Sequence, residues 1–233
     1  ARRDSASRIA LAHTADDQAE TVLMRLVRGT GLMGLGAIPV SRRLAEDVTA
    51  VRPLLEVWRR DVLAYLQHER LAHREDATNA DHRFVRNRIR HELLPLLERD
   101  YNPNIKGALT QLAEISQWDY AYLQDAAERQ WKRVAKERAD HPRTVAIAVA
   151  PLLRQPKALQ RQVVRRALQR VQGEPGQLEF RHWVEIERLC RERPVGTCLD
   201  LPGGVRLRRE PERVVVQGTL RSPDGSRYTG QFR

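Results

Sequence analysis

Apolar residues first cluster at Ile9, Ala10, Leu11 and Ala12, a continuous run that predicts a short buried strand over residues 7 to 13. From Ala15 the period changes. Ala19, Val22, Leu23, Leu26 and Val27 recur at i, i+3, i+4, i+7 and i+8, the stripe of a helix with one buried face. Thr14 with Asp17 three residues on has the spacing of a capping box, and Gly29 is a natural helix stop. A strand feeding a helix through a tight polar turn is half of a βαβ unit. "VTAVRPLL" (48–55) predicts a second strand ending at a proline, and "WRRDVLAYLQHERL" (58–71) a helix that packs Val62, Leu63, Leu66 and the Tyr65 ring. Residues 73–82 are polar and predict a loop. Residues 84–100 predict a helix rich in arginine, kinked at Pro95.

"YNPN" (101–104) breaks the pattern, and the composition shifts after it. One long helix is expected from Ile105 to about Ala139, with Trp118, Tyr122 and Trp131 in its core. Further helices are expected over 157–172 and 177–191, and "TCLDLPGGVRLRREPERVVVQG" (197–218) predicts a hairpin or meander about its Pro-Gly-Gly turn. The division expected is an α/β piece over 1–100, a helical domain closing in small strands over 101–218, and a tail or the start of a further domain over 219–233.

Composition narrows the function. No apolar run approaches the ~20 residues of a membrane span, and no secretory leader is visible, so a cytoplasmic protein without a membrane partner is expected. Cys190 and Cys198 have neither redox nor zinc spacing and are read as reduced thiols. The net charge of +11 points to a polyanionic partner, nucleic acid first. Lysine occurs only at 106, 132, 136 and 157, so nearly all of the 41 basic residues are arginine, which favours bidentate phosphate contacts.

The candidate chemistry lies where the first strand meets its helix, the end at which parallel sheets bind ligands. His13 sits at that end. Asp17 and Glu20 lie one turn apart on one face, near a helix N-terminus whose dipole favours an anion. Spacing alone leaves a second reading open, in which Asp17 only caps the helix and Glu20 only answers its dipole.

Longer stretches decide more. "AHTADDQAETVLMRLVRGTGLMGL" (12–35) resembles the block G-H-x-A-D-D-Q-A-E-T…R-G-x-G-L-x-G-L of the tRNA(Ile)-lysidine synthases. "VRPLLEVWRRDVLAYL" (51–66) is similar to that family's I-R-P-L-L block, and "REDATNADHRFVRNRIRHELLPLL" (74–97) to its E-D-x-S-N…R-N-R-I-R…L-L-P block. The match runs nearly throughout Leu11 to Leu97.

The resemblance implies an α/β fold: the C-terminal part of a PP-loop ATP pyrophosphatase sheet domain, then a mainly helical domain. It also implies a ligation using ATP and Mg²⁺. ATP adenylates the C2 oxygen of the wobble cytidine of a tRNA(Ile) with a CAU anticodon, and the ε-amine of L-lysine then displaces AMP. His13, Asp17 and Glu20 are the implied catalytic residues. His13, Arg86, Arg88 and Arg90 are the candidates for ATP, of which Arg86 and Arg90 share a helix face and Arg88 does not. Asp17 and Glu20 are those for the lysine ammonium. Arg28, Gly29 and Gly31, in a flexible loop suited to close approach, are candidates for tRNA contact. Arg161 and Arg165, with Arg166, fall within two turns, the spacing of either a phosphate-tracking stripe for tRNA or a solvated helix face. A homodimer stays open, as does the metal site.

The chain departs from the pattern in two places. It contains no S-G-G-x-D-S nucleotide loop, and "LPGG" (201–204) is no substitute. Without that backbone cradle ATP binding is weakened, and the chain is expected to be a fragment inactive alone. Ala12 stands where the family usually has glycine. Two other readings remain: a non-catalytic tRNA-binding module, or another PP-loop tRNA-modifying enzyme such as a thiolase or amidotransferase.

Overall fold

The computed structural model describes residues 6–73, 83–137, 143–172 and 178–218. The chain is a mixed α/β protein that divides into two compact units, Ala1–Ala121 and Tyr122–Arg233. The expected tail over 219–233 lies outside the described residues, as does most of the expected loop over 73–82.

The first unit is built on a three-stranded sheet in the order β1 (Arg8–Ala10), β3 (Thr49–Val51), β2 (Ser41–Arg43). β1 runs parallel to β3, with Ile9 opposite Ala50; β2 is antiparallel to β3. The expected burial of β1 is only partial: Ile9 is half-buried and Ala10 exposed. β1 ends the strand order, so among the described residues a neighbour flanks it on one side alone.

α1 (Ala15–Arg28) follows as the sequence predicts, and α2 (Leu32–Leu35) is a short turn of helix beyond it. Ala19, Val22 and Leu23 of α1 pack with Ala37, Ile89, Leu94, Leu109 and Ala113. α3 (Arg59–His68) turns Val62 and Leu66 partly inward. Contrary to expectation, Tyr65 is 61% exposed and Leu63 37%, since the buried stripe is only an i, i+4 pair wide.

The arginine-rich helix is interrupted. α4 (Val85–Arg88) passes through a π-helical turn, Ile89–Leu93, into α5 (Leu94–Asp100). Pro95 has no N–H to give, and the widened turn is closed by Leu94 N–H donating to the Ile89 carbonyl.

α6 (Ile105–Val134) carries its buried positions at Leu109, Ala113, Ser116, Ala126, Ala127, Trp131 and Val134, spaced by three or four residues at each end of the helix. Trp131 is among them. Trp118 lies two residues beyond Ser116, about 200° around the helix, and Trp118 and Tyr122 stand 63% and 67% exposed instead of entering the core. The helix also ends earlier than expected. Ala135–Glu137 is a strand, β4, because Lys136 pairs across to Ala146 of β5 (Thr144–Ala148), which the sequence pattern did not reveal.

The second unit is a five-stranded antiparallel sheet in the order β4-β5-β8-β7-β6, with β6 (Cys198–Leu201), β7 (Val205–Arg209) and β8 (Arg213–Gly218) forming the predicted meander. Val205 and Leu207 face inward while Arg206 and Arg208 alternate outward. The sheet's inner face packs on α8 (Lys157–Gln172) and α9 (Phe180–Arg191) through Val163, Leu168, Val171, Ile186 and Leu189, and α7 (Val149–Leu153) adds Leu152. Among the described residues no helix is long and apolar enough to cross a membrane.

Candidate functional site: a carboxylate pair under two arginines

Asp17 serves two purposes through its two oxygens. Oδ2 accepts hydrogen bonds from Thr14 N at 2.8 Å and Thr14 Oγ1 at 3.0 Å, which closes the cap of α1. Oδ1 accepts one from Arg86 Nη2 at 2.6 Å. Asp17 therefore caps the helix with one oxygen and holds Arg86 with the other.

Glu20, one turn on, has a side chain only 3% exposed. A carboxylate so buried needs partners. Arg86 Nε donates to Oε2 at 2.9 Å, Arg90 Nε to Oε1 at 2.5 Å, and Arg90 Nη2 to Oε2 at 3.0 Å. The Glu20 hydrogen bond raises the pKa of Arg90 above its ordinary value, against the opposing pull of desolvation. The guanidinium is charged at any working pH. Arg86 and Arg90 thus share a face, as their spacing predicts, and Arg88 is exposed on another. The π-helical turn begins between Arg88 and Arg90, and π turns often occur at functional sites.

His13 is half-buried at the strand end, and its Nδ1 is buried without a hydrogen-bond partner. An orphaned polar atom beside the start of a helix fits an anionic or hydroxylic ligand group. The carboxylates do not fit Mg²⁺ in this arrangement, because every oxygen of Asp17 and Glu20 already accepts from a donor. Among the described residues no group of three or more His, Cys, Asp or Glu side chains is placed to hold a metal ion. Both cysteines are free, and burial pushes the Cys190 thiol up to about 11, far from nucleophilic use.

Several supporting residues escaped the sequence reading. Asp16 Oδ2 accepts from the Arg59 amide at 2.8 Å and so fixes the start of α3. Lys106 Nζ lies 3.4 Å from Glu98 and 3.9 Å from Asp16. Gln18 exchanges two hydrogen bonds with the Ile38 backbone, and Arg25 donates to the carbonyls of Gly34 and Ala37. These bonds tie down the segment after α1, so only its first part, Gly29 to Gly31, is an exposed connection. There Gly29 holds φ +77°, a left-handed conformation that favours glycine. Arg28 is exposed beside it. A Gln or an Arg on a helix flank gives no local sign that it serves a distant carbonyl.

In the second unit the expected arginine stripe is divided. Arg166 turns over the Trp131 ring, 5.0 Å from its centroid, and pairs with Glu128. Arg161 and Arg165 both sit over the Trp183 ring, at 5.2 and 5.5 Å. Lys157 pairs with Glu187 and Arg170 with Glu137.

Residues 1–97 match the family model of the PP-loop domain, and residues 147–215 that of the TilS substrate binding domain. The tRNA(Ile)-lysidine synthase of Geobacter sulfurreducens is 39% identical over 209 residues, covering 88% of this chain and 42% of that protein. That of Symbiobacterium thermophilum is 40% identical over 210 residues, with coverage of 87% and 42%, and that of Nostoc sp. 39% over 173 residues, with 70% and 50%. The chain spans about half the length of the curated relatives it matches. With both family models matched in order and relatives aligned over most of its length, the chain belongs to the tRNA(Ile)-lysidine synthase family of PP-loop proteins.

Proposed function

We propose that the chain carries the lysine-handling part of an enzyme that joins L-lysine to C2 of the wobble cytidine of tRNA(Ile) with a CAU anticodon. The observation that carries this reading is the convergence of Asp17 Oδ1 and Glu20 Oε2 on a single cationic group, now Arg86. Two carboxylate oxygens held that way suit an alkylammonium, which a neutral pocket would lose to water.

ATP would supply the activation: transfer of its adenylyl group to the C2 oxygen would expel pyrophosphate, and the later attack of lysine on C2 would expel AMP together with that oxygen. The side chains of this protein bind, orient and move a proton. His13 Nδ1 meets phosphate, and the arginines of the 86–90 segment offset its charge. Before attacking, the lysine ε-ammonium must give up a proton. Asp17, 19% exposed, is the better acceptor, because Arg90 grips both oxygens of Glu20. Arg28, Gly29 and Gly31 contact tRNA backbone, and so do Arg161 and Arg165. A tRNA substrate makes the cytoplasm the place of this work.

The test is transfer of labelled lysine to a CAU-anticodon transcript by the natural full-length protein. Label is expected only with ATP and only on that transcript; tight tRNA binding without label would reduce the protein to an RNA-binding module. Because the chain has no S-G-G-x-D-S loop, the 233 residues alone are expected to give no label. The arginine pair is checked separately. Arg161→Ala is expected to lower the slope of log affinity against log salt by about one, and an unchanged slope removes Arg161 from the interface.

A further inference from the structure

From the same cluster we infer that Arg86 occupies the seat of the substrate ammonium on Asp17 and Glu20, and that lysine enters only when Arg86 is drawn away by an anion, the nucleotide phosphate. The inference rests on the lysine reading above and adds an order of binding to it.

Three observations support it. First, the two arginines are held differently. Arg90 makes both its hydrogen bonds to the buried Glu20, lies 3.6 Å from Asp17 Oδ1 without bonding it, and is 22% exposed. Arg86 divides its bonds between Asp17 and Glu20 and is 38% exposed, so it gives up less on leaving and has solvent to leave into.

Second, the oxygens Arg86 uses are the right ones. Its departure takes the hydrogen bond from Asp17 Oδ1, leaving there only the looser ion pair with Arg90 Nη2 at 3.6 Å, and leaves Glu20 Oε2 with only the Arg90 bond, while Thr14 still holds Asp17 Oδ2 and Arg90 still holds Glu20 Oε1. The carboxylates stay fixed as one cation replaces another. Third, the charge count favours exchange over addition. Two carboxylates against two guanidiniums are balanced, and a third cation brought in with Arg86 in place would leave a partly buried net positive charge. Phosphate arriving near Arg86 reverses that balance.

The arrangement keeps lysine out until ATP is bound. It does so by competition, without a moving lid. If Arg86 holds the seat about nine-tenths of the time, its removal raises lysine affinity about tenfold, because apparent affinity scales with the competent fraction.

The experiment is equilibrium dialysis of labelled L-lysine with the full-length protein in the absence of nucleotide. The wild type is compared with Arg86→Ala, which empties the seat, and Arg86→Lys, which keeps a side-chain cation available for it. Arg86→Ala is expected to bind lysine about tenfold more tightly than the wild type, and Arg86→Lys no more tightly. For the wild type, a nonhydrolysable ATP analogue is expected to raise lysine affinity, and for Arg86→Ala to leave it nearly unchanged.

Lysine binding by Arg86→Ala that is equal to or weaker than the wild type overturns the exchange. So does an equal effect of the ATP analogue on the two proteins. Circular dichroism and thermal unfolding establish that the variants are folded, and Arg90 keeps Glu20 paired in each. If the wild type incorporates lysine into tRNA but fails these comparisons, the order of binding is wrong and the function stands. If it incorporates none, the underlying reading falls and the exchange with it.

Discussion

Glu20→Gln in the full-length protein is expected to cut lysine incorporation by about a hundredfold or more while leaving tRNA binding and formation of the adenylated tRNA largely intact. The substitution keeps the volume and removes the charge. The ammonium would then face Asp17 alone, and the amide's NH₂ would point at guanidinium donors that now bond to Oε1 and Oε2. Stability should fall as well. The Glu20 side chain is 3% exposed, and its neutralisation strands Arg86 and Arg90 in partly buried positions. Removing one partner of a buried pair costs about 3 kcal/mol, toward the low end here because Arg86 is 38% exposed and can turn to water. The two effects separate in one variant. Glu20→Asp retains the charge on a shorter stem, so it should recover part of the lysine step if charge is what matters. Near-normal incorporation by Glu20→Gln at low lysine concentration would exclude Glu20 from the ammonium site.

What the sequence made legible was local. Thr14, the i, i+3, i+4 stripe and Gly29 specify α1 almost to the residue, since cap, periodicity and stop all lie within it. The sharing of a face by Asp17 and Glu20, and by Arg86 and Arg90, follows from helix geometry in the same way. That these two faces meet does not. Arg86 and Arg90 lie 66 to 70 residues from the carboxylates, a pairing that no spacing rule expresses.

Elsewhere the failures have equally specific causes. β5 is the five-residue stretch "TVAIA", too short and too uniformly apolar to show alternation, and β4 becomes a strand only because β5 is there to pair with it. Trp118 and Tyr122 suit a core by their chemistry, yet both stand exposed on α6, Trp118 because its phase sets it nearly opposite Ser116. The π-helical turn follows from Pro95, but a proline announces an irregularity without saying which kind.

Gln18→Ala is the other substitution with a large expected effect, and it reaches the segment proposed to contact tRNA through the fold. Gln18 is 6% exposed; its Oε1 accepts from the Ile38 N–H at 2.9 Å and Nε2 donates to the Ile38 carbonyl at 3.1 Å. Truncation leaves a buried N–H unpaired and a small void, for an expected loss of about 3 kcal/mol. The carbonyl is better protected, because Gln117 Nε2 also approaches it at 3.3 Å while donating to Gly36 at 2.6 Å.

An order of stabilities follows. Gln117→Ala should cost less than Gln18→Ala, since Ile38 keeps both bonds to Gln18. Gln18→Glu should cost at least as much as Gln18→Ala, because it sets a buried carboxylate against the Ile38 carbonyl. Thermal unfolding of the three variants measures this order, and amide exchange at Ile38 should quicken most in Gln18→Ala. Ala37, beside the clamp, holds φ 45°, unfavourable for a residue with a side chain, so the backbone there has reason to relax once the clamp is lost. Arg25 would follow, since one of its two acceptors is the Ala37 carbonyl. Weaker tRNA binding by Gln18→Ala with lysine affinity unchanged would then locate the loss in the 28–38 segment. Equal loss of both would place it in α1 itself, two residues upstream of Glu20.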